Sequence, residues 1–125
     1  MISIHKLVYK HDIFDGTQRL YRFENNFGAS VVRHSGSYGG NDGLYELAVI
    51  GWDPKANITL VETDRYERIT GWTICYSTPI THDVIGYLEE DQVNTILSFI
   101  EKLNGSGKFN NDEDARAWEK FSDEL

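Results

Sequence analysis

The residues best suited to chemistry lie close together in a glycine-rich stretch, residues 34–43. The stretch reads His-Ser-Gly-Ser-Tyr-Gly-Gly-Asn-Asp-Gly, with four glycines in eight positions. Glycine lets a backbone approach a ligand closely, and successive backbone N–H groups can bind phosphate. The stretch lacks Gly-Lys-Ser/Thr, and no helix is predicted directly after it, so it matches no nucleotide-binding fingerprint. It is either an adaptable binding loop anchored by Tyr38 or a structural connection.

Two side chains here could also support hydrolysis. His34 lies beside Ser37, and a histidine can activate a serine, but the Gly-x-Ser-x-Gly elbow of hydrolases is missing. Glu46 follows in an apolar segment, where a carboxylate is costly to bury without a partner. Arg33 would pair with Glu46 if both side chains lay on the same sheet face. The sequence leaves three roles open for Glu46: a structural ion pair, a ligand-binding carboxylate and a general base.

The candidate binding site therefore lies in and beside the glycine-rich stretch. No residue is assigned as catalytic, and the scattered histidines at 5, 11, 34 and 82 do not have metal-ligand spacing. We expect neither a metal nor a cofactor. The site residues are Arg33, His34, Ser37, Tyr38, Gly39, Gly40, Asp42 and Glu46.

Composition narrows the class of protein. A chain of 125 residues with 40% hydrophobic content predicts a single domain, and the sequence has no apolar run long enough to span a membrane. A net charge of −8 disfavours direct nucleic-acid binding and suits a basic protein partner. The N-terminus does not resemble a secretory signal, and the only cysteine, Cys75, cannot form an internal disulfide. These features predict a cytoplasmic protein.

An antiparallel sheet is expected to position the site. β-prone residues predict neighbouring strands over 17–23, 29–33 and 44–52, with further strands over 58–62 and 71–76. Residues 2–10 read as an edge strand or an extended arm, and an Asp-Gly pair marks a turn at 14–16. Residues 78–88 are expected to form a turn or a short helical bend capped by Thr81. The 44–52 strand is apolar on both sides, so we expect both of its faces to be covered.

One amphipathic helix is predicted over residues 90–103. Its apolar residues recur at helical spacing and would pack on one face of the sheet, which gives an α+β fold of about five strands. The domain is expected to span 1–103, with 1–16 as an N-terminal arm and 104–125 as an acidic tail. Residues 112–121 could form a short helix that docks through Trp118 and Phe121. A single helix leaves the other sheet face open, which predicts a homodimer.

Several stretches of the chain share a pattern with known sequences. Residues 21–49 contain Tyr-Arg-Phe, then Gly-Ala-Ser-Val-Val-Arg, Ser-Tyr-Gly-Gly and Gly-Leu-Tyr-Glu-Leu-Ala-Val, and residues 76–88 precede an acidic helix. Over about residues 20–103 the chain resembles a group of small uncharacterised bacteriophage proteins. This resemblance implies a phage source and brings no catalytic residue.

The source implied by the resemblance suggests a function by analogy. Small acidic phage proteins often bind and inhibit host machinery. We therefore expect a non-enzymatic accessory protein that inhibits a host protein in the host cytoplasm, with counter-defence as the expected setting, like an anti-CRISPR protein. The alternatives are a small-molecule or nucleotide-binding protein that uses loop 34–43, and a small hydrolase that uses His34 and Glu46.

Overall fold

The computed structural model describes residues 7–56 and 70–125 as an antiparallel sheet with two helices. The strands pair in the order β1-β2-β3-β4-β5, and β6 also pairs with β4. This arrangement confirms the α+β class, while the strand expected over 58–62 lies outside the described residues. The elements are β1 (Leu7–Ile13), β2 (Gly16–Arg22), β3 (Phe27–Arg33), β4 (Tyr45–Trp52), β5 (Trp72–Ile74), β6 (Ile85–Leu88), α1 (Glu90–Glu101) and α2 (Asp112–Ser122).

The predicted meander of three neighbouring strands is confirmed by the register of β2, β3 and β4. Val31 lies opposite Leu47 and Ser30 lies opposite Ala48, so successive residues of β4 alternate between the two faces. One face, the helix face, carries Tyr21, Ala29, Val31, Leu47 and Val49, which pack with α1. The opposite face carries Leu20, Ser30, Ala48, Ile50 and Trp52.

Helix α1 covers the helix face as its apolar spacing predicts. Val93, Ile96 and Ile100 are fully buried. At the start of the helix, the Gln92 side chain accepts a hydrogen bond from the Glu89 N–H in a capping box. At its end, the side-chain amide of Asn25 donates to the carbonyls of Ile100 and Leu103. The turn between β2 and β3 therefore adds donors to carbonyl groups at the C-terminal end of the helix.

The segment expected as an acidic tail or as a short docking helix contains α2, which packs into the same core. Trp118 is buried and its ring lies 5.2 Å from that of Phe99 on α1. Its indole Nε1 donates to the carbonyl of Pro79 at 2.9 Å. The packed unit therefore extends to α2 and does not end at residue 103.

The opposite face of the sheet is also buried within the single chain. Ile50 has no exposed surface, and Val8, Tyr9, Leu20 and Trp52 form a second cluster with it. The Trp52 indole donates to the carbonyl of Tyr21 at 2.8 Å while passing over Gly28, where an added Cβ would lie 2.9 Å from the indole nitrogen. The reason for expecting a homodimer was an uncovered face on β4, and β4 has none.

One short segment takes one of its two expected forms, and another differs from its expected form. Residues Leu7–Ile13 form β1, an edge strand paired with β2, as one of the two interpretations of residues 2–10 predicted. Residues 85–88, expected as a turn or helical bend, form β6 beside β4, with Leu47 opposite Ile85 and Tyr45 opposite Leu88. A bulge between those pairs leaves Tyr87 exposed. The sequence pattern did not predict this strand, because β6 has only four residues and follows a polar segment.

Candidate functional site

Four segments meet at one end of the sheet and bring three exposed aromatic side chains there. These segments are the β1–β2 turn, the loop between β3 and β4, the end of β6 and the start of α1. The Ser35 N–H donates to the Asp15 carboxylate at 2.8 Å, and the Tyr87 N–H donates to the Tyr38 carbonyl at 3.1 Å. We call this surface the aromatic end. It is defined by Phe14, Tyr38 and Tyr87, whose exposed fractions are 85%, 61% and 61%.

The glycines of loop 34–43 are explained by its fold. Gly39 has a φ of 89°, which side chains other than glycine adopt at a cost, and a Cβ there would lie 2.9 Å from the Tyr87 Cα. A Cβ on Gly40 would overlap the carbonyl oxygen of His34 at 1.7 Å. Residues Gly40–Asp42 form one 3₁₀ turn between these constraints. The loop is a tightly folded connection that holds Tyr38 outward.

The backbone N–H groups of this loop are largely occupied by acceptors within the chain. Those of residues 34–38, 40 and 42–44 all donate to acceptors inside the protein. An anion cradle needs several N–H groups pointing at one empty position. This geometry does not favour the small-anion alternative for the loop.

The side chains of His34 and Ser37 do not form a nucleophile and base. The Ser37 hydroxyl is buried and donates to the His34 carbonyl at 2.8 Å, and it accepts from the His34 N–H at 3.0 Å. The His34 ring accepts from the Gly36 N–H through Nδ1 and lies 5.2 Å from the Phe14 ring. Both residues therefore fasten the loop, and the geometry gives no support to a hydrolase.

The expected ion pair between Arg33 and Glu46 is wrong. Val32 is the residue opposite Glu46, so Arg33 projects from the other face of the sheet. The Glu46 carboxylate lies 3.4 Å from the Tyr38 N–H, a long contact that places it beneath the loop. Arg33 instead stacks on Tyr45, with its guanidinium carbon 4.8 Å from the ring centre.

A second arginine stacks on the same ring and fixes the start of α1. The Arg19 guanidinium carbon also lies 4.8 Å from the centre of the Tyr45 ring. Its two terminal nitrogens donate to the two carboxylate oxygens of Glu90 at 3.0 and 2.9 Å. This bidentate pair ties β2 to the first turn of α1, close to the aromatic end.

Two of the three aromatic residues occupy unfavourable backbone conformations. Phe14 has a φ of 53° and Tyr87 a φ of 56°. The left-handed region costs a residue with a Cβ roughly 1–2 kcal/mol, and side chains in it often mark functional sites. The Asp-Gly pair suggested a positive φ in the turn at 14–16, but the structure places it on Phe14. No pattern in the sequence marked Tyr87.

The surroundings of the aromatic end are acidic. Hydrogen bonds from the Ser35 N–H and hydroxyl lower the pKa of Asp15, which keeps this exposed carboxylate ionised. Of the two arginines nearby, Arg19 is already neutralised by Glu90. The other carboxylates of this end are Asp42, Glu46 and Glu89. The site thus combines exposed aromatic rings with negative charge.

Some functions lack support in the part of the chain that the structure describes. Within residues 7–56 and 70–125 there is no cluster of three histidine, cysteine or acidic side chains that could hold a metal ion. None of the helices among these residues is long and apolar enough to cross a bilayer. Comparisons with protein-family models, curated proteins and solved structures give no match.

Proposed function

We propose that this chain is a phage accessory protein that binds and inhibits a host protein through its aromatic end. The observation that carries the proposal is the placement of Phe14 and Tyr87, two exposed aromatic residues on left-handed backbone. Glycine would adopt the backbone of both positions at lower cost, and both rings stay largely exposed even though Phe14 lies against the His34 ring, so burial in the core does not account for them. A binding surface gives one, because exposed aromatic residues are frequent hot spots of protein interfaces.

The charge of the surface supports a basic partner. Aromatic faces attract guanidinium and ammonium groups, and nearby carboxylates add to that attraction. The chain as a whole carries a net charge of −8, which would speed its encounter with a cationic protein. Host proteins that bind nucleic acid have such cationic surfaces. Covering that surface would block the nucleic acid, and this is the inhibition we propose, with counter-defence as its setting.

The experiment is affinity capture from a bacterial lysate with three single variants of the exposed tyrosines. Tyr38→Ala and Tyr87→Ala alter the aromatic end, while Tyr76→Ala is the matched control, since Tyr76 is 53% exposed and follows β5. We expect the wild type and the Tyr76 variant to retain a basic protein that the other two variants lose. Adding the purified chain should then weaken the nucleic-acid binding of the captured protein.

Three results would contradict the proposal. Equal capture by all variants would place the contact elsewhere on the chain. An acidic partner would contradict the charge argument. A captured basic protein that still binds nucleic acid at full affinity in the complex would contradict inhibition by occlusion.

A further inference from the structure

Strand β1 lies at one edge of the sheet and, among the described residues, pairs only with β2. Its two exposed residues, Lys10 and Asp12, lie on either side of His11. Neither charged side chain forms an ion pair with a described residue. The edge therefore presents two opposite charges that have no partner in the part of the chain that the structure describes.

The backbone groups of the same two residues also face outward. The turn between β1 and β2 has only two residues, so the flanking residues Ile13 and Gly16 form a hydrogen-bonded pair. Bonded and non-bonded positions alternate along an antiparallel pair, so the N–H and C=O groups of Lys10 and Asp12 point away from β2. No backbone hydrogen bond joins these two residues to a described residue beyond β2. Such an unpaired edge can accept another strand.

Charge selects one register for a second copy of the same strand. A two-fold antiparallel pairing through these outward groups can be centred on residue 10, 11 or 12. A centre at residue 10 places Lys10 opposite its own copy, and a centre at residue 12 does the same for Asp12, so like charges meet. A centre at His11 instead places each Lys10 opposite Asp12 of the second copy. Edge lysines commonly prevent strand pairing, but in this register each lysine meets a carboxylate.

The orientation of the side chains agrees with this register. Lys10 lies opposite Arg19, which in turn lies opposite Val31, so Lys10 and Asp12 both project from the helix face. Residues directly opposite each other in an antiparallel pair share a face, so both ion pairs would form on the helix face of the joined sheets.

We propose that two copies of this chain associate through their β1 edges, antiparallel and centred on His11. Backbone hydrogen bonds join Lys10 of each copy to Asp12 of the other, and the side chains of the same residues form two ion pairs. This interface is an edge of the sheet, whereas the dimer expected from the sequence used a sheet face. The aromatic ends of the two copies lie at opposite ends of the joined strands, and the proposal does not depend on their function.

Charge reversal tests the interface. Light scattering of the wild type at micromolar concentrations should give twice the 14.3 kDa of one chain. Lys10→Asp and Asp12→Lys each turn two attractive pairs into repulsive ones, so we expect the dissociation constant to rise roughly tenfold or more. Lys120→Asp is the control, because it makes the same change of charge as Lys10→Asp at an exposed position of α2. This variant should keep the mass of a dimer.

A mixture of the two single variants separates the interface from any effect on folding. In a mixed pair, each introduced charge meets an opposite charge on the other variant, so Lys10→Asp and Asp12→Lys together should associate as tightly as the wild type. The double variant Lys10→Asp/Asp12→Lys should also dimerise. A monomeric wild type would overturn the proposal, as would a single variant that dimerises at full affinity or a mixture that does not associate. Tyr38→Ala should remain dimeric, so failure here leaves the aromatic end untouched.

Discussion

The ring of Trp118 on α2 packs edge-on against the ring of Phe99 on α1, with the two centres 5.2 Å apart and the planes at 69°. Phe121 lies within 6 Å of both rings, at 5.8 Å from Trp118 and 5.9 Å from Phe99. This cluster lies at the far end of the core from the aromatic end. Because of it, the C-terminal segment is part of the folded unit.

Removing the Trp118 ring should strongly destabilise the protein. Trp118→Ala leaves a cavity beside Phe99 and removes the hydrogen bond to Pro79, so we expect a loss of about 3–5 kcal/mol in the free energy of unfolding. Urea denaturation measures this loss. Glu119→Ala, on the exposed side of the same helix, is the control and should change it by less than about 0.5 kcal/mol. A Trp118→Ala midpoint equal to that of the control would mean that α2 does not contribute to the core.

The comparison of Trp118 with Tyr87 shows what the sequence can predict. Apolar residues at helical or alternating spacing indicate which side chains are buried. The sequence therefore predicted the buried stripe of α1 and the burial of both faces of β4. Trp118 was identified as a docking residue, but whether it docked depended on a distant partner, Phe99. The predicted pairing of Arg33 with Glu46 was wrong because Val32 lies opposite Glu46. A shift of one residue in the register moves a side chain to the other face of the sheet. Tyr87 could not be found, because its exposure comes from a bulge with no local signal.

The bidentate pair between Arg19 and Glu90 should contribute modestly to stability. Arg19 is largely buried, whereas the Glu90 side chain is 49% exposed, and solvent screens the interaction. We expect Glu90→Gln to lower the free energy of unfolding by roughly 0.5–1 kcal/mol at low salt and by less at high salt. Asp91→Asn removes the same charge from the first turn of α1 and serves as the control. If the two variants lose the same free energy of unfolding, the contribution of Glu90 comes from its interaction with the helix dipole and not from its pair with Arg19.

Burial of Tyr21 should make the protein less stable at high pH. Burial raises the pKa of Tyr21 to about 12, partly opposed by the charge of Arg19. The unfolded chain, with a tyrosine pKa near 10, loses this proton first. The stabilisation is complete below pH 10 and is lost as the pH rises towards 12, at about 1.4 kcal/mol per pH unit between the two values. Urea midpoints of the wild type and of Tyr21→Phe, measured at pH 9, 10 and 11, check this, because the variant should show a smaller decline than the wild type. Parallel curves would contradict it.

Two glycines of loop 34–43 should differ in their tolerance of alanine. Gly39 and Gly43 both have positive φ, at 89° and 74°, so alanine at either should cost about 1–2 kcal/mol in stability. A Cβ on Gly43 has no atom within 4 Å, whereas one on Gly39 meets the Tyr87 backbone at 2.9 Å. We expect Gly39→Ala to be clearly the more destabilising by thermal denaturation. Equal melting temperatures would show that the loop can move away from β6 at little cost.

Replacing the strained aromatic residues with glycine should raise stability. Phe14→Gly and Tyr87→Gly each relieve roughly 1–2 kcal/mol of left-handed backbone cost and lose roughly 0.5–1 kcal/mol to chain entropy, which leaves a net gain between about 0 and 1.5 kcal/mol. Tyr76→Gly is the matched control, because Tyr76 is also exposed and has no positive φ. It gains no such relief and should be destabilised. Urea midpoints measure all three changes.

The same two variants should bind the proposed basic partner less well, although we expect them to be more stable. Each removes an aromatic contact, so we expect a loss of more than about 1 kcal/mol in binding free energy, measured by calorimetry with the captured protein. Tyr76→Gly should bind as the wild type does. If the variants gain stability and lose affinity, the two rings contribute to binding and lower the free energy of unfolding. If Phe14→Gly and Tyr87→Gly gain stability and keep full affinity, the aromatic end is not the interface. If they lose stability, the positive φ values do not represent strain, and the argument that rests on them fails.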